Sequence, residues 1–565
     1  MDSKAPASAN SAFNSVVVFA LIFAGILALH VPLLRLPYFW DEAGYYIPAA
    51  RDLFGGSVIP HSTPSNAHPP LVMAWLALLW KVAGFSPLIT RVAMLAVAAF
   101  ALLGVFRLAM RVANFQVAVM ATACSALYPV LFAQSSLAHV DMAAAGLTFW
   151  GLNSYVARQP RGAALWFSLG ALAKETAVLA PLALLLWEVV CPWVGRWSKR
   201  EICPGDWRRA LVAGLLFPVV ALSLWYTFHY ARTGYVFGNP EFFRYNVQAT
   251  ISPLRIVLAL GMRVWQVIGY LHLWLLTLLM AWAMTCPPLR DGEVERPRIQ
   301  LSAQCAFGVV IFVYVTAMAV VGGAVLARYM LPAVPLVVIL AVSTLWRRVR
   351  PWLVLVAVVG AGFIAGWFWN PPYGFSFEDN LAYRDYIEMH QDAARFLGER
   401  YPNARVLTAW PASDEVSRPD LGYTTRPLRV VRVEDFTVDE IMAAAQERSR
   451  FDVALVFSTK YEPPSPLLEN WAWWEGVKTR LFGFHRDLPP AVIARLLGGH
   501  VVMREARTGQ WIAVIELERV EEVRENGCRS LGDSYHILAS YPGPTSGARL
   551  YRPCGTGSME QREMR

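Results

Sequence analysis

Residues 1–370 are dominated by long apolar stretches, broken at intervals by short polar ones. A helix crossing the ~30 Å hydrocarbon layer needs ~20 apolar residues. On that rule the pattern predicts eleven membrane-spanning helices, near 14–34, 88–110, 114–132, 140–157, 162–173, 176–191, 210–229, 264–286, 301–321, 332–346 and 351–369. The fifth and sixth are kept apart because Lys174 and Glu175 interrupt what is otherwise one apolar run. Between the first two spans, the loop 35–87 predicts two helices lying on the membrane surface. In the first, over 43–54, Tyr46, Ile47, Ala50, Leu53 and Phe54 share a face. The second opens at Pro69-Pro70 and runs to Lys81, rich in Leu and Trp.

Past residue 370 the period changes. "YRDYIEMHQDAARFLGERY" and "TVDEIMAAAQE" read as amphipathic helices, and "ARVLTAW" and "FDVALVFS" as strands of a β-α-β unit. "HVVMREARTGQWIAVIELERV" reads as a hairpin turning at Thr508-Gly509. The expected fold is a polytopic α-helical membrane body, 1–370, followed by a soluble external α/β domain, 371–565.

Charge divides the chain at the same place. Residues 1–370 hold 26 Lys+Arg against 13 Asp+Glu, whereas 371–565 hold 24 against 28. The basic balance therefore belongs to membrane loops, and nothing in it calls for nucleic acid. The cations collect in alternate loops: Arg107 and Arg111; Arg158 and Arg161; Arg196, Lys199, Arg200, Arg208 and Arg209; Arg290, Arg296 and Arg298; Arg347, Arg348 and Arg350. Short cation-rich loops stay in the cytoplasm. The first loop and the C-terminal domain are then expected outside, on the periplasmic face of a bacterial inner membrane. No cleavable signal peptide is expected from "MDSKAPASANSAFNS", which leads into the first apolar segment. None of the seven cysteines forms a CxxC pair, which argues against a structural zinc site. Cys528 and Cys554 read equally as a disulfide or as two thiols.

The chemistry concentrates on the external side. Asp41, Glu42 and Asp52 lie in the first loop, Asp141 opens the fourth span, Glu175 caps the turn between spans five and six, and Glu241 follows span seven. Ionisable groups at membrane depth are costly, so function is their default reading. Asp41 and Asp141 also read as helix N-caps, a role Asp favours. His61, His68, His139, His229 and His272 fall near the same side, either as a divalent-metal site with Asp41 or Asp141 or as unrelated interfacial histidines; no cofactor is firmly implied. Lys174, Arg232, Arg244 and Arg328, the last beside Tyr329, either snorkel to headgroups or bind an anion. Trp471, Trp473 and Trp474 have three readings: stacking on sugar, lying on the bilayer, or packing in the domain core.

Five motifs together resemble a known family: "WDEAGYY" after span one, "HPPL" entering a surface helix, "HVDM" at span four, "LAKETAVLAP" at the short turn and "RYMLPAVP" late in the body. The pattern is similar to the GT-C integral-membrane glycosyltransferases, in particular the dolichyl-phosphate-mannose-protein mannosyltransferase-like group and the bacterial aminoarabinose lipid A transferases. It covers roughly residues 10–370. The resemblance implies a sugar donor carried on polyprenyl or dolichyl monophosphate, and inverting transfer to an acceptor hydroxyl on a glycan, lipid or protein. It implies Asp41 as the acid acting at the acceptor hydroxyl, Glu42 as its neighbour and Asp141 as the second acid. His68 stands where the aminoarabinose enzymes carry a phosphate-contacting lysine. A lipid-phosphate leaving group needs cations more than an acid, for which Lys174, Arg244 and Arg328, with Tyr329, are candidates. A hexosyl or pentosyl transferase is expected. The alternative is a transporter or flippase of a lipid-linked sugar, for which broken helices and internal repeats would speak.

Overall fold

The structure, a computed structural model, describes residues 8–198, 208–240, 243–244, 250–463 and 471–518; Glu241, Cys528 and Cys554 lie outside them. The body begins with α1 (Ser8–His30), and the first loop carries α2 (Ile47–Phe54) and α3 (Leu71–Ala83). Then follow α4 (Pro87–Val112), α5 (Phe115–Leu127), α6 (Val140–Val156), α7 (Pro160–Ala173), α8 (Leu179–Ser198) and α9 (Arg208–Thr233). The set closes with α10 (Pro253–Ile268), α11 (Leu273–Thr285), α12 (Leu301–Val320), α13 (Val334–Arg348) and α14 (Trp352–Phe368). Among the described residues, six helical segments are long and apolar enough to cross a membrane by length and composition. The chain is a multi-pass membrane protein with an extramembrane C-terminal domain.

Local sequence signals set the helix ends. Ser86 and Asn114 are N-caps whose side chains accept from the amides of Ile89 (3.3 Å) and Val117 (3.0 Å), satisfying donors that the first helical turn leaves open. Lys174 is extended (φ −153°, ψ 135°), so α7 stops there and a short turn over Glu175–Val178 leads into α8. That separates the fifth and sixth spans. At the opposite end of the bundle Arg296 donates to the Trp346 carbonyl (2.7 Å) and Arg347 to the Arg296 carbonyl (2.8 Å), tying two of the cationic turns together.

The eighth span differs from the sequence expectation of 264–286. Its helix starts at Pro253 and breaks between α10 and α11, where Leu271 (φ 44°) and His272 (φ 68°) are left-handed. Tyr270 is drawn out of the helical path by its hydroxyl, which donates to Asp379 (2.5 Å). Such a long-range contact leaves no mark on local hydropathy.

In the C-terminal domain α15 (Ala382–Arg400) precedes a sheet of β1 (Arg405–Ala409), β2 (Arg429–Val433), β3 (Val453–Phe457), β4 (Gly499–Arg507) and β5 (Gln510–Leu517). The order is β2-β1-β3-β5-β4, parallel across the first three and antiparallel thereafter. The β4–β5 hairpin turns at Thr508-Gly509, Gly509 supplying the positive φ (72°) that the turn needs. The expected β-α-β unit contains one more strand. β2 lies at the sheet edge, and Arg429 and Arg432 face outward there, so "RVVRV" has too few apolar residues to read as a buried strand. α16 (Val438–Gln446) then crosses to β3, and α17 (Ala472–Phe482) and α18 (Pro490–Leu497) precede the hairpin.

The sheet packs onto the first loop. One hydrophobic cluster runs from Tyr38, Phe39 and Leu76 through Tyr386 and Ile387 to Leu455 and Val514. Backbone bonds add to it: the Tyr38 amide donates to the Leu421 carbonyl (3.2 Å), and Tyr423 donates through its hydroxyl to the Tyr38 carbonyl (3.1 Å). Each fully buried large apolar side chain at such a junction contributes about 1.5–3 kcal/mol, so the domain is seated rather than tethered.

Candidate active site

Trp40 sets the geometry. Its φ of 41° is rare for a bulky residue and needs surroundings that hold it. The indole is pinned against Trp410 (5.4 Å between centroids, edge-on) and Tyr386 (5.5 Å). The chain turns sharply there, and the two adjacent carboxylates part company. Asp41 faces a cavity of about 1570 Å³ between the membrane body and the C-terminal domain. Glu42 turns inward and is completely buried.

Glu42 is saturated with partners. Arg91 donates to it twice (2.5 and 2.9 Å), and the amides of Phe39 (2.8 Å) and Ala138 (2.5 Å) add two more bonds. Arg91 in turn donates to the carbonyls of Pro37 and Ser136. This pair fastens the first loop to α4 and to the chain before α6. Glu42 is thus outside the cavity lining, and Arg91 was not singled out from the sequence because one arginine inside an apolar span gives no hint of its partner.

Asp41 does not serve as a helix cap. No side-chain cap bond forms at the start of the wide turn Glu42–Tyr46. Its carboxylate, 22% exposed, instead meets the Arg328 guanidinium (2.5 Å). Arg328 is buried and also contacts Glu378 (2.8 Å), His139 (3.0 Å) and Asp141 (3.5 Å). Asp141, in the first turn of α6, is paired with Lys174 (2.6 Å), whose ammonium lies 4.1 Å from the Tyr329 ring centre. So the sequence motifs at 41, 141, 174 and 328–329 converge on one cluster. Arg328 enters it already engaged by three carboxylates rather than open to an incoming anion.

His68 lines the cavity beside this cluster, bonded to Glu175 (2.7 Å) and stacked on Tyr46. Arg244 lines it too and is exposed. The remaining histidines do not gather: His61 contacts Asp52 (3.3 Å), His229 bonds Ser65 (2.8 Å), and His272 sits at the helix break. Among the described residues one group could offer ligands to a metal, Asp41, His139 and Glu378, whose ligand atoms lie within 4.8 Å of one another. The Arg328 guanidinium contacts all three, so the chain itself supplies positive charge at their centre.

Glu378 and Asp379 are buried acids of the cavity that the sequence reading missed. They follow the last membrane helix in "FSFEDN", an aromatic–acidic pattern like that of "YFWDEA". The likeness of the two motifs was the available signal. Burial pushes Glu378 up to about 8, against the pull of Arg328 and with Asp41 adding to the push. Burial likewise pushes Asp379 up to about 7, against its hydrogen bond from Tyr270. Burial works against the Lys174 charge, but Asp141 and then Tyr329 outweigh it and hold the amine above its ordinary value. For the two acids burial is the first cause, since it disfavours the charged form of each.

This helical body, capped by a mixed sheet over a cavity lined by acids and cations, has solved counterparts. ArnT from Cupriavidus metallidurans in the apo state aligns over 89% of this chain and 98% of its own, at 15% identity and a TM-score of 0.53. The same protein bound to undecaprenyl phosphate aligns over 90% and 98%, at 14% identity and 0.51. The chain has the GT-C fold. The structural likeness extends past residue 370, beyond the stretch that carries the sequence motifs. The Archaeoglobus fulgidus oligosaccharyltransferase, in complex with Zn and sulfate, aligns over 88% of this chain and 72% of its own, at 13% identity and 0.42. No protein-family model matches the sequence, and no curated protein does.

Proposed function

We propose that the protein is an inverting glycosyltransferase that moves a sugar from a polyprenyl- or dolichyl-phosphate donor to an acceptor hydroxyl at the external face of the membrane. One observation carries this reading: Asp41 is a part-exposed carboxylate in the lining of a large cavity, oriented by Arg328, with His68, Lys174 and Arg244 in the same lining. ArnT, which has the same fold, has been solved with undecaprenyl phosphate, and a lipid phosphate suits this lining. The acceptor oxygen attacks the anomeric carbon while Asp41 takes the hydroxyl proton. The bond from that carbon to the phosphate oxygen breaks, and the lipid phosphate leaves with the electron pair, so the configuration inverts. Departing phosphate is an anion and needs no proton, only positive charge. Lys174 and His68 lie on the inner side for this purpose, and Arg244 lies in the open part. Asp141 holds Lys174 and Arg328 in place. Glu42 supports the loop that carries Asp41. On the charge pattern of the loops, the protein works on the periplasmic side of a bacterial inner membrane.

Asp41→Asn keeps the shape and removes the base. General-base catalysis typically contributes about 10²–10⁴-fold, and transfer from a purified polyprenyl-phosphate sugar should fall by that much while membrane insertion stays unchanged. Unaltered transfer would remove Asp41 from the mechanism. The transporter reading has one feature in its favour, the break at Tyr270–His272. That break, however, bonds to Asp379 of the C-terminal segment rather than framing a polar site between helices. Wild-type protein that moves lipid-linked sugar across liposomes and transfers none to any acceptor would decide for transport.

A further inference from the structure

The helix α17 faces two ways. Trp474, Glu475, Lys478 and Phe482 line the cavity. On the other side Trp471 is 50% exposed and Trp473 56%, with their rings 4.9 Å apart, and Gly476 and Arg480 are exposed beside them. No residue of the helix is buried, which sets aside the reading of these tryptophans as domain core. An exposed tryptophan pair on a soluble domain calls for a partner.

The partner follows from what holds the other end of the helix. Arg255, in the first turn of α10, donates to the Leu481 carbonyl (3.1 Å) and lies 5.3 Å from the Phe482 ring centre. It also donates to the carbonyls of Gly322 and Gly323. α10 is amphipathic in the sense opposite to a soluble helix. Its buried face carries Arg255, Arg263 and Gln266, while Leu254, Val257, Val264 and Ile268 are exposed. An apolar outer face over a polar inner one is the pattern of a helix whose surroundings are lipid. α17 is therefore fixed by its C-terminal end to the start of a lipid-facing helix.

We infer that α17 is a membrane-surface element, with Trp471 and Trp473 seated among the headgroups of the leaflet on the domain's side and Arg480 meeting their phosphates. Tryptophan is enriched at that depth because its ring is apolar and its N–H polar, and a cation beside it suits an anionic surface. One helix then serves at once as cavity wall and as bilayer contact. The inference concerns docking and stands whether or not the cavity transfers sugar.

Gly476 offers a probe position on the same face, since nothing lies within 4 Å of where a Cβ would stand. Full-length Gly476→Cys, labelled with a fluorophore, goes into nanodiscs containing anionic lipid, and the same preparation without the substitution subtracts labelling at native cysteines. The expected result is strong quenching by lipids carrying a nitroxide at the headgroup and weak quenching by aqueous iodide. Trp471→Ser/Trp473→Ser should then lose most of the lipid quenching. A label open to iodide and untouched by nitroxide lipid overturns the inference, as does lipid quenching unchanged in the double variant. Label–label coupling that grows with the number of chains per disc overturns it in favour of a second copy of this chain.

Discussion

Two adjacent acids in one motif enter different surroundings because a single residue turns before them. With Trp40 in a left-handed conformation, Asp41 opens onto the cavity while Glu42 is sealed under Arg91. The sequence shows the pair but not the turn, since φ at Trp40 is imposed by Trp410 and Tyr386, hundreds of residues away. Glu378 sharpens the point. Its pKa of about 8 means that it holds a proton at neutral pH and loses it as the medium turns alkaline. Ionised, it would add a second negative charge on Arg328 beside that of Asp41 and weaken the hold of the guanidinium on Asp41. Transfer activity should therefore fall above about pH 8, and Glu378→Gln, which mimics the protonated form, should keep activity at pH 7 and abolish that alkaline fall. Paired pH–rate profiles of the two proteins test this. A wild-type profile flat to about pH 9.5 would refute the assignment.

At the scale of elements, boundaries were legible where they rest on local signals. Ser86 and Asn114 cap their helices, and Lys174 breaks the run between α7 and α8. They were not legible where a distant partner decides, as at Tyr270 and in the edge strand β2. The contact of the first loop with the sheet domain is equally remote in sequence. A Cβ on Gly44 would meet the Trp410 ring at 2.7 Å, so only glycine lets the turn approach that indole. Gly44→Val should push Trp410 aside, loosening the domain and releasing the hold on Trp40. Overpacking of this kind costs about 1–3 kcal/mol, which should appear as a lowered Tm in detergent together with reduced transfer. A Gly44→Val protein as stable and active as wild type would mean that the loop yields freely.

For the whole molecule, the raised acids link stability to pH. Glu378 and Asp379 take up protons more readily in the folded protein than unfolded, at about 8 and 7. Their contribution is thus complete below the ordinary carboxylate range and is lost as pH rises through these values. Tm should decline from pH 5 toward pH 8, by less in Glu378→Gln/Asp379→Asn; equal slopes in the two proteins would deny the linkage. The sequence by itself determined the membrane body, the arginine-rich turns, the separate α/β domain and most residues of the cluster. All of these follow from hydropathy, period and charge, which act over a few residues at a time. Only the tertiary structure decided that Glu42 is buried against Arg91, that Arg328 is shared among three carboxylates, and that the C-terminal segment contributes Glu378 and Asp379 to the same cavity. Those outcomes depend on which charges are brought together away from water, where electrostatic interaction is strong and desolvation costly, and no local pattern encodes that meeting.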